Sequence, residues 1–160
     1  MLRKLKIRYH EFMGYYTSTQ DNEKLASEHY LKSANLGSAK SQNEIGVRYS
    51  KGKGLPENHV EAARWYKLAA DQGDMYAQAN IGWVFYEGKG VTQSYELALS
   101  WYKKAAEKGH PGSQYHLGVM YSDGLGTKKD KLEAIKWLTR AEASEIQEAT
   151  EVMDNLQNET

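Results

Sequence analysis

A repeat constrains this chain more than any other feature. The segment AARWYKLAADQG at 62–73 returns as ALSWYKKAAEKG at 98–109, thirty-six residues later. Weaker copies stand one step out on either side, ASEHYLKSANLG at 26–37 and AIKWLTRAEASE at 134–145. Self-similarity at a fixed period of this size marks stacked modules, each burying its apolar face against its neighbours. Within one copy Ala62, Trp65, Tyr66, Ala69 and Ala70 fall at i, i+3, i+4, i+7 and i+8. They share one stripe of a helix, and two rings beside three small side chains make a helix-packing surface.

The helix that follows each copy has its own signature: Ile45, Gly46 and Tyr49 return as Ile81, Gly82 and Phe85, then as Leu117, Gly118 and Tyr121. Glycine inside a helix costs about 1 kcal/mol relative to alanine. Three in register therefore imply a partner helix too close for a β-carbon. The pairs Gly52/Gly54, Gly88/Gly90 and Gly124/Gly126 end these helices in a built-in turn. They follow a helix instead of a strand and lack a Walker lysine, which argues against a phosphate cradle.

Asn22, Asn58, Ser94 and Asp130 stand where N-caps are needed, Asp74 suits another, and Pro111 suits a first helical turn. Gly37, Gly73 and Gly109 suit helix stops. At the ends the pattern is worn. Residues 4–16 read as a helix, with Leu5, Tyr9, Phe12, Met13 and Tyr16 at helical spacing, followed by the breaker TSTQDN. A second helix spans about 22–36 and the last about 146–157, where Asp154 replaces the close-contact glycine and Glu145 the stop glycine. The expectation is an all-α, right-handed superhelical solenoid of about nine helices in antiparallel pairs. Its modules divide as a degenerate cap at 1–37, repeats at 38–73, 74–109 and 110–145, and a capping helix in 146–160.

Twenty-one basic and twenty-one acidic residues cancel, leaving no global field to attract nucleic acid or an anionic membrane. The ends differ: Arg3, Lys4, Lys6 and Arg8 crowd the start, whereas Glu142, Glu145, Glu148, Glu151, Asp154 and Glu159 make the last twenty residues purely acidic. Solvated end caps explain this, with docking of a tail on a charged partner as the alternative. A basic amphipathic helix at a membrane surface is a further alternative for the first sixteen residues. No segment has the uninterrupted apolar run of an export signal or a membrane span, and the absence of cysteine fits a reducing cytoplasm.

These residues resemble one family. The pattern L/I-G-x2-Y/F-x2-G-x-G, a link of eight to nine residues, then A-x2-W-Y-x2-A-A-x2-G is similar to the Sel-one-like repeat, a cousin of the tetratricopeptide repeat. Ordinary tetratricopeptide units have a period of about thirty-four and lack the glycine-pair loop. The match is best over 38–109 and good to Leu138. The flanks depart from it: His10 and Tyr16 stand where glycines belong, and His29 where the tryptophan belongs. The resemblance implies an α-helical scaffold that binds other proteins as an adaptor, regulator or assembly platform.

No enzyme signature accompanies it. His10, His29, His59, His110 and His116 form no HxxxH pair, no GxSxG elbow occurs, and the carboxylates are spread over helix faces and caps. No metal or cofactor is expected. Residues particular to one module select a partner, because those shared by all modules hold the stack. At about 100° per residue the stripe opposite Ile81, Gly82 and Phe85 reads Tyr76, Ala79, Trp83 and Tyr86. Its equivalents are Lys40, Asn43, Val47 and Ser50 before it and Gly112, Tyr115, Val119 and Ser122 after it. This stripe is expected to line a concave groove for a peptide or domain edge, with Trp83, Tyr76, Tyr86 and Tyr115 as anchors beside Val47 and Val119. Asn43, Glu44, Arg48, Asn80 and His116 form its polar rim. Packing of Trp83 and Tyr86 on the second helix of a neighbouring module is the alternative. The functional expectation is a non-enzymatic protein-binding module. The alternatives are an immunity-type inhibitor that blocks a toxin and, further off, a hydrolase using His116 and Glu44.

Overall fold

The computed structural model describes residues 1–158; Glu159, counted above with the acidic end, lies outside them. Among the described residues there are nine helices and no strand: α1 (Leu2–Thr19), α2 (Glu23–Asn35), α3 (Ala39–Lys51), α4 (His59–Asp71), α5 (Met75–Glu87), α6 (Tyr95–Glu107), α7 (Pro111–Asp123), α8 (Lys131–Glu142) and α9 (Glu148–Asn158). The chain is all-α and built from repeated helix pairs, in two compact units. One comprises Met1–Ala77 with Lys89–Val91, the other Gln78–Gly88 with the chain from Thr92 onward.

Helix starts follow the cap residues. Asn22, Asn58 and Ser94 accept from the backbone N–H of Leu25, Glu61 and Leu97, and Asp130 accepts from those of Leu132 and Glu133. Asp74 Oδ1 accepts from Ala77 N–H at 2.8 Å. Each satisfies a donor that the first helical turn leaves free. The repeated stripe is core: Trp65, Tyr66, Trp101, Tyr102 and Trp137 are all buried.

In the first unit α1 packs on α2, α2 on α3 and α3 on α4, around Tyr30, Ala34, Ile45 and Trp65. In the second, α6 packs on α7, α7 on α8 and α8 on α9. Its core gathers Ala98, Tyr102 and Met120, then Ala106, Leu117 and Trp137, then Ala134, Leu138, Ala141, Ala149, Met153 and Leu156. The mid-helix glycines are contact points: a β-carbon on Gly46 would lie 2.5 Å from the Tyr66 ring, on Gly82 2.8 Å from Tyr102, and on Gly118 2.6 Å from Leu138. The second glycine of each loop does more than turn the chain. Gly54 sits against the backbone of Glu23, Gly90 against that of His59, and Gly126 against that of Tyr95, each near the start of the preceding module's second helix. These loops staple adjacent modules, and no side chain fits there.

The first module departs from the expected register. α1 continues through the TST of the expected breaker to Thr19. Gly14, not residue 10, is its close-contact glycine, where a β-carbon would lie 2.9 Å from the Tyr30 ring. Twenty residues separate Gly46 from Tyr66, Gly82 from Tyr102 and Gly118 from Leu138, but sixteen separate Gly14 from Tyr30. The missing four residues are the glycine-pair loop, so stepping back by thirty-six overshoots the contact by about one helical turn. His10, which that step selects, instead has its Nδ1 3.1 Å from His29 Nδ1. The stripe of Leu5, Tyr9, Phe12 and Tyr16 is exposed, while α1 buries Gly14 and Thr17. A polar outer face therefore caps α9, where Glu148, Glu151 and Asp154 are exposed, but not α1.

Glu145 occupies the stop-glycine position with φ 65°, where Gly37, Gly73 and Gly109 have φ 90–91°. A side chain in this left-handed region carries a steric penalty of about 1–2 kcal/mol, partly offset by glycine's greater freedom in the unfolded chain. Glu145→Gly is expected to stabilise the protein by about 0.5–1 kcal/mol, measured by thermal unfolding. An unchanged or lower melting temperature would mean that the turn is unstrained.

Candidate functional site

The residues expected along one face divide between the units. Val47, Asn43, Glu44, Arg48 and Tyr76 belong to the first; Asn80, Trp83, Tyr86, Tyr115, His116 and Val119 belong to the second.

In the first unit Ser38 caps α3 through Ser41 N–H. The helix then presents Lys40, Asn43 and Glu44 to a cavity of about 310 Å³, completed by Tyr30, Asp74 and Tyr76. Tyr76 is 60% exposed. A neighbouring cavity of about 520 Å³ shares Tyr30, Lys40 and Glu44 and reaches Arg8, Glu11, Phe12 and Tyr15 on α1. Together the two cavities present both signs of charge and four aromatic rings. Val47 is half-buried on the same helix.

Arg48 is not on the rim. It is 1% exposed, with Nη1 donating to Glu23 Oε2 at 2.8 Å and to Ser27 Oγ at 3.1 Å, and Nε donating to Glu44 Oε1 at 2.9 Å. Its guanidinium carbon lies 4.9 Å from the centre of the Tyr30 ring. The burial has a visible signal in the repeat, since Val84 and Met120 occupy its register and are also buried.

In the second unit Ala79, Asn80 and Trp83 of α5 face His110, Gly112, Ser113 and His116 across a cavity of about 220 Å³, with Tyr102 from α6 also in its lining. The His116 ring stacks on Tyr102 at 4.9 Å and 15°, with Tyr115 at 5.5 Å and Tyr86 at 6.0 Å. Trp83 both lines this cavity and packs on the cluster of Ala98, Tyr102 and Met120. Tyr86 is half-buried against the same cluster and edge-on to Tyr95 of α6, the second helix of its own module, at 5.3 Å. It stands where the first unit has Ser50, the hydrogen-bond partner of Tyr66. The corresponding hydroxyl, that of Tyr102, is buried without a hydrogen-bond partner, and burial raises its pKa strongly. Tyr115 packs on the C-terminal cluster; burial, then the fields of Glu148 and Glu151, raise its pKa. Val119 is half-buried.

His110 has a role that sequence reasoning missed: it is the N-cap of α7, its Nδ1 accepting from Ser113 N–H at 3.1 Å. The signal was positional, because Ser38 and Asp74 cap the two preceding modules at the same register. Accepting requires an unprotonated Nδ1. Burial holds His110 below the ordinary histidine range. It does the same for His116, where Glu87 opposes the shift and His110 reinforces it. Both rings are thus neutral, apolar-faced groups near pH 7. The two hydrolase candidates are not built as a dyad within either unit: Glu44 belongs to the first and is paired with Arg48, while His116 belongs to the second. Among the described residues no group of three or more His, Cys, Asp or Glu is arranged to hold a metal ion, and no helix is long and apolar enough to cross a membrane.

Paired helices, loop staples and module-specific faces define an all-α repeat protein of the tetratricopeptide-like class. The family model of the Sel1 repeat matches residues 9–38, 39–74, 76–110 and 111–144, and the chain belongs to that family. Among solved structures it is similar to a protective antigen of uropathogenic Escherichia coli strains that displays an SLR fold. The TM-score is 0.89 at 30% identity, over 94% of this chain and 33% of that one. It is also similar to a Sel1 repeat protein from Oxalobacter formigenes, with TM-score 0.83 at 30% identity over 90% of this chain and 57% of the other. The chain thus spans about a third of the first and just over half of the second. No curated protein matches it in sequence. Sel1 repeat proteins are generally protein-interaction scaffolds.

Proposed function

We propose that this protein is a non-enzymatic adaptor that binds a partner polypeptide on the module-specific faces of α3, α5 and α7. The observation that carries this reading is the placement of Tyr76 and Trp83. Neither position needs an aromatic side chain for the repeat, yet Tyr76 stands exposed at the charged cavity of the first unit and Trp83 lines the cavity of the second. Aromatic residues in such positions are typical binding anchors, where truncation often costs about 2 kcal/mol or more. Lys40, Asn43, Glu44 and Asn80 supply polar contacts around them.

The test is site-specific photo-crosslinking in the native host. A benzophenone side chain at position 76 or 83 is expected to capture a discrete partner, while the same group at exposed Lys103 or Glu107 is not. Equal capture at all four positions, or capture only at the controls, would refute the assignment. Should the captured partner be an enzyme inhibited by the complex, the protein would act as an immunity-type inhibitor.

A further inference from the structure

Thirteen of the fourteen glycines have a backbone reason to be glycine. Nine have positive φ, and four, Gly14, Gly46, Gly82 and Gly118, meet another side chain more closely than a β-carbon allows. Gly112 has neither property. A β-carbon there would meet only the His110 ring, at an ordinary 3.5 Å. The repeat accepts long side chains at this register, since Lys40 and Tyr76 occupy it in the two preceding modules. Glycine is a poor helix former beside any of these alternatives. Its effect in the second unit is steric: the lining of the cavity shared by α5 and α7 has no side chain at position 112.

We propose that this cavity is a socket for one uncharged aromatic side chain of the partner, admitted past Gly112 and held against Trp83 and His116. The inference rests on the polypeptide-binding reading above. At about 220 Å³ the cavity falls below the roughly 300 Å³ at which pockets for whole small ligands begin. Its lining holds no Lys, Arg, Asp or Glu. A charged side chain entering it would lose water without gaining a counter-charge. The Trp83 indole and the His116 ring, itself stacked on Tyr102, offer surfaces for offset or edge-on ring contact. Asn80 and Ser113 are the uncharged polar residues of the lining, the Ser113 hydroxyl lying 3.0 Å from His110 Nδ1. The first unit's cavities differ in kind, since Lys40, Glu44 and Asp74 suit a polar, charged segment.

The socket is tested with p-cresol and indole as ring probes and n-butylamine and butyrate as charged controls, followed by the amide resonance of Ser113 and the indole N–H of Trp83. The ring probes are expected to shift both signals saturably and the controls to leave them in place. Gly112→Tyr, which restores the preceding module's residue, is expected to weaken ring binding at least about tenfold, or about 1.4 kcal/mol, while Gly112→Ala leaves it nearly unchanged. Gly112→Leu is a second plug should tyrosine disturb the fold. Absence of saturable ring binding, or equal binding by the plugged variants, would overturn the socket. A displayed random-peptide library separates this from the parent reading. Peptides with an aromatic residue that bind the wild type and are lost on Gly112→Tyr support both; peptides that bind both forms equally overturn the socket alone. Saturable ring binding with no peptide recovered would overturn the polypeptide reading instead.

Discussion

Trp137→Ala is expected to lower the free energy of unfolding by about 3–5 kcal/mol, the range for truncating a large buried aromatic side chain. Trp137 is 4% exposed and shares a cluster with Ala106 of α6 and Leu117 of α7, so the cavity left behind would loosen contacts with two other helices. The indole is also fixed by polar contacts. Its N–H donates to Glu133 Oε2 at 3.0 Å, and Arg140 and Lys136 stand over the ring at 4.7 and 5.5 Å. Trp137→Phe keeps most of the apolar area and removes the hydrogen bond, so its cost should be well below that of alanine. The counterpart in the first unit, Trp65, has a buried N–H without a partner. Trp65→Phe should therefore be cheaper still, because no hydrogen bond is lost and an unsatisfied donor is removed. Chemical denaturation followed by circular dichroism measures all three. A loss under about 1 kcal/mol for Trp137→Ala would show that the aromatic stripe is not core.

What the repeat made legible was everything that recurs with the same chemistry. Asn58, Ser94 and Asp130 differ in identity but each offers a side-chain oxygen at one register, so their caps could be read without coordinates. Gly46, Gly82 and Gly118 announced a close contact because glycine is otherwise costly inside a helix. The second loop glycine was less legible. Gly54 and Gly126 need positive φ, which a turn explains by itself, and only the structure shows the preceding module's backbone against them.

The first module failed for a geometric reason. Copying a fixed step assumes a loop of constant length, and where four residues are missing the step places His10 at the contact that Gly14 makes. The candidate site was legible as a set of unusual residues but not as a set of directions. Tyr86 differs from Ser50 by more than any neighbour on its stripe, yet half-buried packing on Tyr95 and the Tyr102 cluster absorbs it. Tyr76, in the first turn at the other end of the same helix, remains exposed.

Arg48 shows how far module comparison reaches when identity changes and burial does not. Arg48, Ser27 and Glu23 in the first unit occupy the registers of Met120, Leu99 and Tyr95 in the second. One set is joined by hydrogen bonds, the other by apolar packing. Arg48→Met is expected to cost about 3 kcal/mol, the low end for breaking a buried ion pair, because Glu23 and Glu44 keep some access to water. The triple change Arg48→Met, Ser27→Leu, Glu23→Tyr transplants the apolar set. It should recover most of that loss, since a buried polar group without its partner costs more than the same position made apolar.

Acid titration supplies an independent readout. Partial burial works against ionisation of Glu23, but hydrogen bonds from Lys53 and Arg48 outweigh it and hold the carboxyl below its usual range. A carboxyl depressed in the folded state contributes stability above its unfolded pKa, and that contribution is lost as pH falls through the folded value. The wild type should therefore lose this contribution on the acid side of the ordinary carboxylate range, Arg48→Met should show a shallower dependence there, and the triple variant should lack the Glu23 component altogether. If Arg48→Met were as stable as the wild type, with the same acid profile, the network would be a consequence of packing and not one of its causes.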